Sequence, residues 1–261
     1  MNQDKISIQE LTWLPDKSQN EILKAICMDF IQGDFCGILG PNGSGKTSLM
    51  RHILRLVETK QGQLKLNNKN VDNYSRRELA RNIAFVPQNT SIETNFTAYD
   101  IVMMGRAPYQ KRFQGTTKQD REIVIQAMEM TNCYHLKDQG FSRLSGGEAQ
   151  RVVTARAIAQ QTPWLILDEP IAHLDIRYQV ELMKYLKYLN LEHQTSILAV
   201  LHDINLASEY CKKIVLMKNG RIVVSGATKE VMTIDNLEKV YEIGFACVRR
   251  PDGQGSYFIP C

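Results

Sequence analysis

The stretch Gly40-Pro41-Asn42-Gly43-Ser44-Gly45-Lys46-Thr47 constrains this chain more than any other. It fits G-x-x-x-x-G-K-[ST], a loop that wraps phosphate oxygens in backbone N–H groups. The flanks supply the required context. Phe35-Cys36-Gly37-Ile38-Leu39 is a short apolar run that reads as a buried strand, and Ser48 to Leu56 has apolar residues at helical spacing. Strand, glycine loop and helix start aim several N–H groups and the positive end of a helix dipole at one spot. A nucleoside triphosphate is the natural guest. Lys46 would reach the β- and γ-phosphates, and the Thr47 hydroxyl would ligand Mg²⁺.

Several apolar runs share the character of the strand before the loop. Ile83 to Gln88 is stopped by Pro87; Trp164 to Asp168 ends in a charge; Ser196 to Leu201 leads into His202-Asp203. Helical patterns lie between them, at 76–81, 120–131, 147–160 and 175–191. Strands alternating with helices predict an α/β fold with a mainly parallel sheet covered on both faces. Phosphates bind at the C-terminal edge of such a sheet, where Asp168-Glu169 and His202-Asp203 would also emerge. Residues 213–217 and 221–225, joined through Lys218-Asn219-Gly220, read as a hairpin. Short helices are expected at 228–232 and 235–241. Asn89 to about Gln119 is more polar, punctuated by Gly105, Pro108 and Gly115, and reads as a loop-rich interaction region. Phe245 to Cys261 is weakly patterned, with a turn at Pro251-Asp252-Gly253.

Composition excludes several classes. The 261 residues are 43% hydrophobic and 23% charged, with a net charge of only +4, too weak for a nucleic-acid partner. Cysteines 27, 36, 133, 211, 247 and 261 form no C-x-x-C pair, which predicts reduced, mostly buried thiols in a cytoplasmic protein. Met1-Asn2-Gln3-Asp4-Lys5 runs straight into a strand pattern, so no signal peptide is expected. No apolar run approaches the roughly 20 residues of a membrane-spanning helix. Membrane association is expected through a partner.

Two further sites carry chemistry. Leu165-Ile166-Leu167-Asp168-Glu169 delivers adjacent carboxylates. Asp168 suits a Mg²⁺ site and Glu169 could polarise a water for attack on phosphorus; alone, the pair is also an ordinary solvated strand end. Leu144-Ser145-Gly146-Gly147-Glu148 opens a helix and could hold an anion; it reads equally as a capped helix start. Two phosphate-type sites in one chain suggest that one serves a nucleotide bound by a second subunit.

In combination these residues resemble the ATP-binding cassette (ABC) ATPases over nearly the whole chain. Walker A is Gly40–Thr47, Gln88 matches the Q-loop, Leu144–Glu148 the signature, Leu165–Glu169 Walker B, Ala172-His173-Leu174-Asp175 the D-loop and His202 the switch histidine. Met104-Gly105-Arg106-Ala107-Pro108-Tyr109, Leu201–Ala207 and Gly226–Met232 narrow the resemblance to the ATPases of type II importers for ferric siderophores, haem or cobalamin. Glu148 stands where Gln is usual in the signature, and Ile171 replaces the usual Thr.

The resemblance implies a P-loop NTPase (RecA-like) fold with an antiparallel β subdomain and an inserted helical subdomain. It implies one nucleotide-binding domain over 1–261, with a core at about 1–88 and 161–234, helices at about 89–160 and an extension at about 235–261. The resemblance also assigns roles. ATP would be held by Gly40, Pro41, Asn42, Gly43, Ser44, Gly45, Lys46, Thr47 and Ser48. Trp13 would stack on adenine, although it also reads as a half-buried strand residue. Thr47, Gln88 and Asp168 would serve Mg²⁺. Glu169 would be the general base, with Gln88 and His202 beside the γ-phosphate. Ser145 and Gly147 would act on the nucleotide of a second copy in a homodimer. Two transmembrane permease subunits would dock against Asn89–Phe113, fed by a substrate-binding protein, and the chain would sit on the inner face of the cell membrane. The alternative is a non-transport ABC ATPase acting as a conformational module. A small-molecule kinase would have no use for the signature.

Overall fold

A computed structural model of the chain describes residues 4–15, 19–60, 62–88, 94–111, 115–172, 174–250 and 255–261. The expected turn at Pro251-Asp252-Gly253, His173 of the D-loop stretch, and 89–93 and 112–113 of the docking stretch lie outside the described residues. The strands are, in chain order, β1 (Lys5–Trp13), β2 (Leu23–Ile31), β3 (Phe35–Leu39), β4 (Leu64–Leu66), β5 (Lys69–Asn70), β6 (Ile83–Val86), β7 (Trp164–Asp168), β8 (Ser196–Val200), β9 (Lys213–Lys218), β10 (Arg221–Ala227), β11 (Phe245–Arg249) and β12 (Ser256–Pro260). The α-helices are α1 (Lys46–Ile53), α2 (Arg76–Asn82), α3 (Ala98–Met103), α4 (Lys118–Met130), α5 (Gly146–Ala159), α6 (Ile176–Glu192), α7 (Ile204–Tyr210), α8 (Thr228–Val231) and α9 (Ile234–Tyr241). The chain forms two compact units, Met1–Asn73 with Ser196–Cys261, and Tyr74–Thr195.

In the first unit, β3 runs parallel to β8 and to β9, and β9 turns antiparallel into β10. Every residue of β3 and of β8 is buried. That is why both read as unbroken apolar runs: a parallel strand has no solvent face. Each buried Ile or Leu in them contributes about 1.5–3 kcal/mol. An antiparallel sheet of order β2-β1-β4-β5 forms beside them in sequence. There Ile6, Ile8 and Leu11 are buried while Gln9 and Glu10 face water. Asn67-Asn68 and Asn219-Gly220 turn their hairpins with φ of 49° and 64°, and 49° and 78°. Those signs belong to the two-residue turns that match strand twist.

In the second unit, β6 and β7 pair in parallel, and α3, α4 and α5 pack together. The helix α5 buries Ala149, Val152, Val153, Ala155, Ala157 and Ala159, so it is enclosed on most of its circumference.

Four expectations are corrected. The helix after the phosphate loop stops at Ile53, because Leu54 ends it and Arg55 turns left-handed at φ 54°; Leu56 lies outside, 64% exposed. The loop-rich stretch contains α3 and a 3₁₀ turn at Met104–Arg106. The α3 start is fixed by a capping box in which Thr97 accepts from the Asp100 N–H and Asp100 accepts from the Thr97 N–H. The weakly patterned C-terminal stretch is the hairpin β11–β12. The thiols are free, but only Cys36, Cys133 and Cys211 are buried; Cys27, Cys247 and Cys261 are exposed. Burial pushes the three buried thiols up, Cys133 to about 11, so they stay protonated.

Candidate functional site

The phosphate loop leaves the C-terminal end of β3 and rests on its neighbours. Gly40 has φ 151°, and a Cβ there would fall inside the Met217 carbonyl oxygen of β9. Gly45 has φ 99°, and its Cβ would lie 3.0 Å from the Ile22 carbonyl and 2.9 Å from a Leu23 methyl. Only glycine meets both demands, left-handed backbone and close approach. The Gly220 N–H donates to the Ser44 carbonyl at 3.1 Å, which ties the loop to the β9–β10 turn. Lys46 is 5% exposed, and its ammonium donates to the carbonyls of Gly40 at 2.8 Å and Pro41 at 3.0 Å. The same lysine begins α1, whose first turn holds no acidic residue. Cation, loop amides and helix N-terminus thus favour one anion.

Since Ile38 of β3 is registered with Val200 of β8, the loop and His202 emerge at the same edge of the first unit. His202 is exposed. Next to it Asp203 caps α7, its Oδ1 accepting from the Asn205 and Leu206 N–H groups, each at 2.8 Å. Trp13 ends β1, half-buried, edge-on to His52 with ring centroids 5.1 Å apart. Burial holds the His52 ring neutral, its pKa pushed down.

In the second unit Val86 is registered with Leu167, so the residues after β6 and β7 also emerge together. Gln88 Nε2 donates to Glu169 Oε2 at 2.6 Å. Glu169 has φ 51°, an uncommon backbone state for a residue with a side chain and one that concentrates at functional sites. Asp168, just before it, is 3% exposed. A carboxylate so enclosed requires hydrogen bonds or a cation. Ser145 caps α5: its Oγ accepts from the Glu148 N–H at 3.4 Å and donates to Glu148 Oε2 at 2.7 Å. These bonds hold the Glu148 carboxyl below the usual range. The capped-helix reading of this stretch is therefore correct as far as it goes, and Glu in place of Gln serves the capping box.

The donor chemistry fits ATP and Mg²⁺. A buried ammonium and aligned N–H groups suit phosphate oxygens, and the Thr47 hydroxyl and Asp168 carboxylate are hard oxygen ligands of the kind Mg²⁺ takes. Sequence reasoning missed the arginines of α2, Arg77 and Arg81, which both grip the Pro108 carbonyl. No pattern of spacing announces such a contact.

A family profile described as ABC transporter matches residues 23–172. The ferric enterobactin transport ATP-binding protein of Escherichia coli K12 is 37% identical over 87% of this chain and 83% of its own length. The hemin import ATP-binding protein of E. coli O157:H7 is 35% identical over 87% of this chain and 88% of its own. The iron(3+)-hydroxamate import ATP-binding protein of Bacillus subtilis 168 is 33% identical over 88% and 86%. A solved metal-chelate type ABC transporter in an inward-facing conformation superposes at TM-score 0.84 with 25% identity, covering 100% of this chain and 98% of that one. A bacterial ABC transporter cassette solved as a dimer gives TM-score 0.77 at 26% identity, covering 85% and 98%. On these matches the chain belongs to the ABC transporter family of ATPases.

Proposed function

We propose that this chain is the ATP-hydrolysing subunit of an importer for a ferric siderophore, haem or cobalamin. The observation that carries the reading is its 33–37% identity, over most of its length, to ATP-binding proteins of enterobactin, hemin and hydroxamate uptake. In this reading two copies form a homodimer on the inner face of the cytoplasmic membrane beneath two permease subunits, which receive cargo from a substrate-binding protein. No helix among the described residues is long and apolar enough to cross a membrane. The surface offered to the permease is the segment 94–111, where Phe96 is 51% and Met104 41% exposed, apolar side chains of the kind that dock.

The residues divide the work. Lys46 and the amides of Gly40–Ser48 bind and orient the β- and γ-phosphates, and Trp13 stacks on adenine. Thr47, Gln88 and Asp168 would hold Mg²⁺, which would supply charge neutralisation at the β- and γ-phosphates. Glu169 accepts the proton of the attacking water, and His202 orients that water against the γ-phosphate. Ser145 and Gly147, at the start of α5, close on the γ-phosphate held by the second copy. Since Gln88 donates to Glu169, it is positioned to sense both metal and base.

A pull-down of the tagged chain from membranes, followed by uptake assays with haem, cobalamin and ferric siderophores, tests the reading. Recovery of a permease and ATP-dependent uptake of one cargo is the expected result. Failure to recover any integral membrane protein would favour the non-transport conformational module.

A further inference from the structure

The helix α2 passes into β6 with no residue between them: Asn82 ends the one and Ile83 begins the other. Gln88 follows two residues after β6. A tilt of α2 therefore acts directly on the start of the strand that leads to Gln88. No residue of α2 is fully buried and only Leu79, Ala80 and Asn82 are half-buried, so apolar packing holds its angle weakly.

Polar contacts do. Arg77 Nε and Arg81 Nε donate to one acceptor, the Pro108 carbonyl, at 2.8 and 2.9 Å. Arg77 also donates through a second nitrogen to the Gln110 carbonyl. The Arg81 guanidinium lies 5.7 Å from the centroid of the Tyr109 ring. Charge-assisted bonds to a single carbonyl make a joint with a defined direction.

On its other side the same segment is fixed to α5. Gly105 packs so closely that a Cβ would fall inside the Arg156 carbonyl. Arg106, 7% exposed, bonds Asp120 Oδ1 at 2.9 Å and the Ala159 carbonyl at 2.8 Å, with its guanidinium 4.4 Å from the Tyr109 centroid. Gln160, the C-cap of α5, donates to the Ile83 carbonyl at 3.0 Å and to the Ala80 carbonyl. Segment 104–110, the α2–β6 junction and the end of α5 thus close a ring of contacts. Its two outlets are Gln88, beyond β6, and Ser145, at the far end of α5.

We propose that Arg77 and Arg81 are positioning residues that transmit displacement of segment 94–111 through α2 and β6 to Gln88, resetting its bond to Glu169. Neither arginine is among the residues assigned above to the nucleotide. The inference rests on the docking reading above for the origin of the displacement, but the linkage from Pro108 to Gln88 stands in the isolated chain.

Two measurements test it, using Arg77→Ala/Arg81→Ala with Arg77→Lys/Arg81→Lys as the conservative control. Both side chains are exposed, so the alanine variant should unfold within about 2 °C of wild type. In the isolated chain, hydrogen exchange at the amides of Ala84, Phe85, Val86 and Gln88 should rise at least about fivefold in the alanine variant and less in the lysine variant. In the complex with the permease recovered above, permease stimulation of ATP turnover should be lost while co-purification persists. Unchanged exchange at 84–88 overturns the linkage whatever the permease does. Wild-type stimulation in the alanine variant, or loss of co-purification, also overturns it, the latter making the arginines part of the docking surface. If exchange rises as expected but the wild-type chain recovers no permease, the linkage stands and the importer reading falls.

Discussion

Gln88 and Glu169, 81 residues apart in the chain, are joined by a hydrogen bond of 2.6 Å from the amide nitrogen to the carboxylate. The bond exists because β6 and β7 lie side by side in parallel with Val86 opposite Leu167, so Gln88 and Glu169, each two residues further on, emerge at one edge. It aims the carboxylate.

Removing that charge should separate binding from chemistry. Glu169→Gln retains a side chain that Gln88 can bond but cannot accept a proton. Turnover is expected to fall about 10²–10⁴-fold, with ATP affinity within about threefold of wild type. Trapped in this way, the chain should elute as a dimer in saturating ATP. Steady-state phosphate release, nucleotide titration and size-exclusion chromatography check the three statements; undiminished release would remove Glu169 from the role of base.

Lys46 offers the converse separation. Its buried ammonium bonds two loop carbonyls, so it contributes both to the shape of the loop and to the phosphates. Lys46→Ala should weaken ATP binding by about 2–3 kcal/mol, roughly 30–150-fold, the worth of a charge-assisted contact. Calorimetric titration with a non-hydrolysable ATP analogue is the measurement.

At Gly40 the cost falls on folding rather than affinity alone. Gly40→Ala would drive a methyl into the Met217 carbonyl from a backbone at φ 151°. Strain and overpacking together are expected to cost about 3 kcal/mol, lowering the melting temperature by roughly 6–12 °C. Gly43→Ala meets the strained φ of 77° but open space, so its loss should be smaller. A thermal melt of both variants tests the order.

What the sequence made legible follows from periodicity. β3, β7 and β8 are buried throughout, and an unbroken apolar run bounded by glycine or charge announces such a strand. The glycine loop is legible because its spacing is a backbone requirement. By contrast α3 spans only six residues, less than two turns, too short for a helical period to show. Its surviving signal was the Thr97-x-x-Asp100 capping box, repeated at Thr117-x-x-Asp120. The hairpin β11–β12 was missed because Val248, Tyr257 and Ile259 are exposed apolar residues, which erases the alternation of a half-buried sheet. Gly105 read as a break in a loop, yet it is a contact with α5. Contacts such as Gln88 with Glu169 depend on strand register, which no local pattern carries.

The pair Arg106–Asp120 yields a pH dependence with a definite sign. Both side chains are buried, and Asp120 also accepts from Thr117 at the start of α4. The Arg106 hydrogen bond, aided by those from Thr117, holds the Asp120 carboxyl below the usual carboxylate range. A carboxyl with a depressed folded-state pKa contributes stability that is complete above its unfolded value, near about 3.9, and vanishes as pH falls through the folded value. Asp120→Asn keeps an acceptor for Arg106 but leaves a buried guanidinium uncompensated, so at pH 7 it should cost about 2–4 kcal/mol. Between about pH 4 and pH 2 the difference between wild type and variant should shrink, because wild-type Asp120 protonates and loses the same charge. Urea unfolding of both proteins across that range measures it, and a difference that held constant down to pH 2 would show that the charge of Asp120 contributes nothing to the joint between Arg106 and α4.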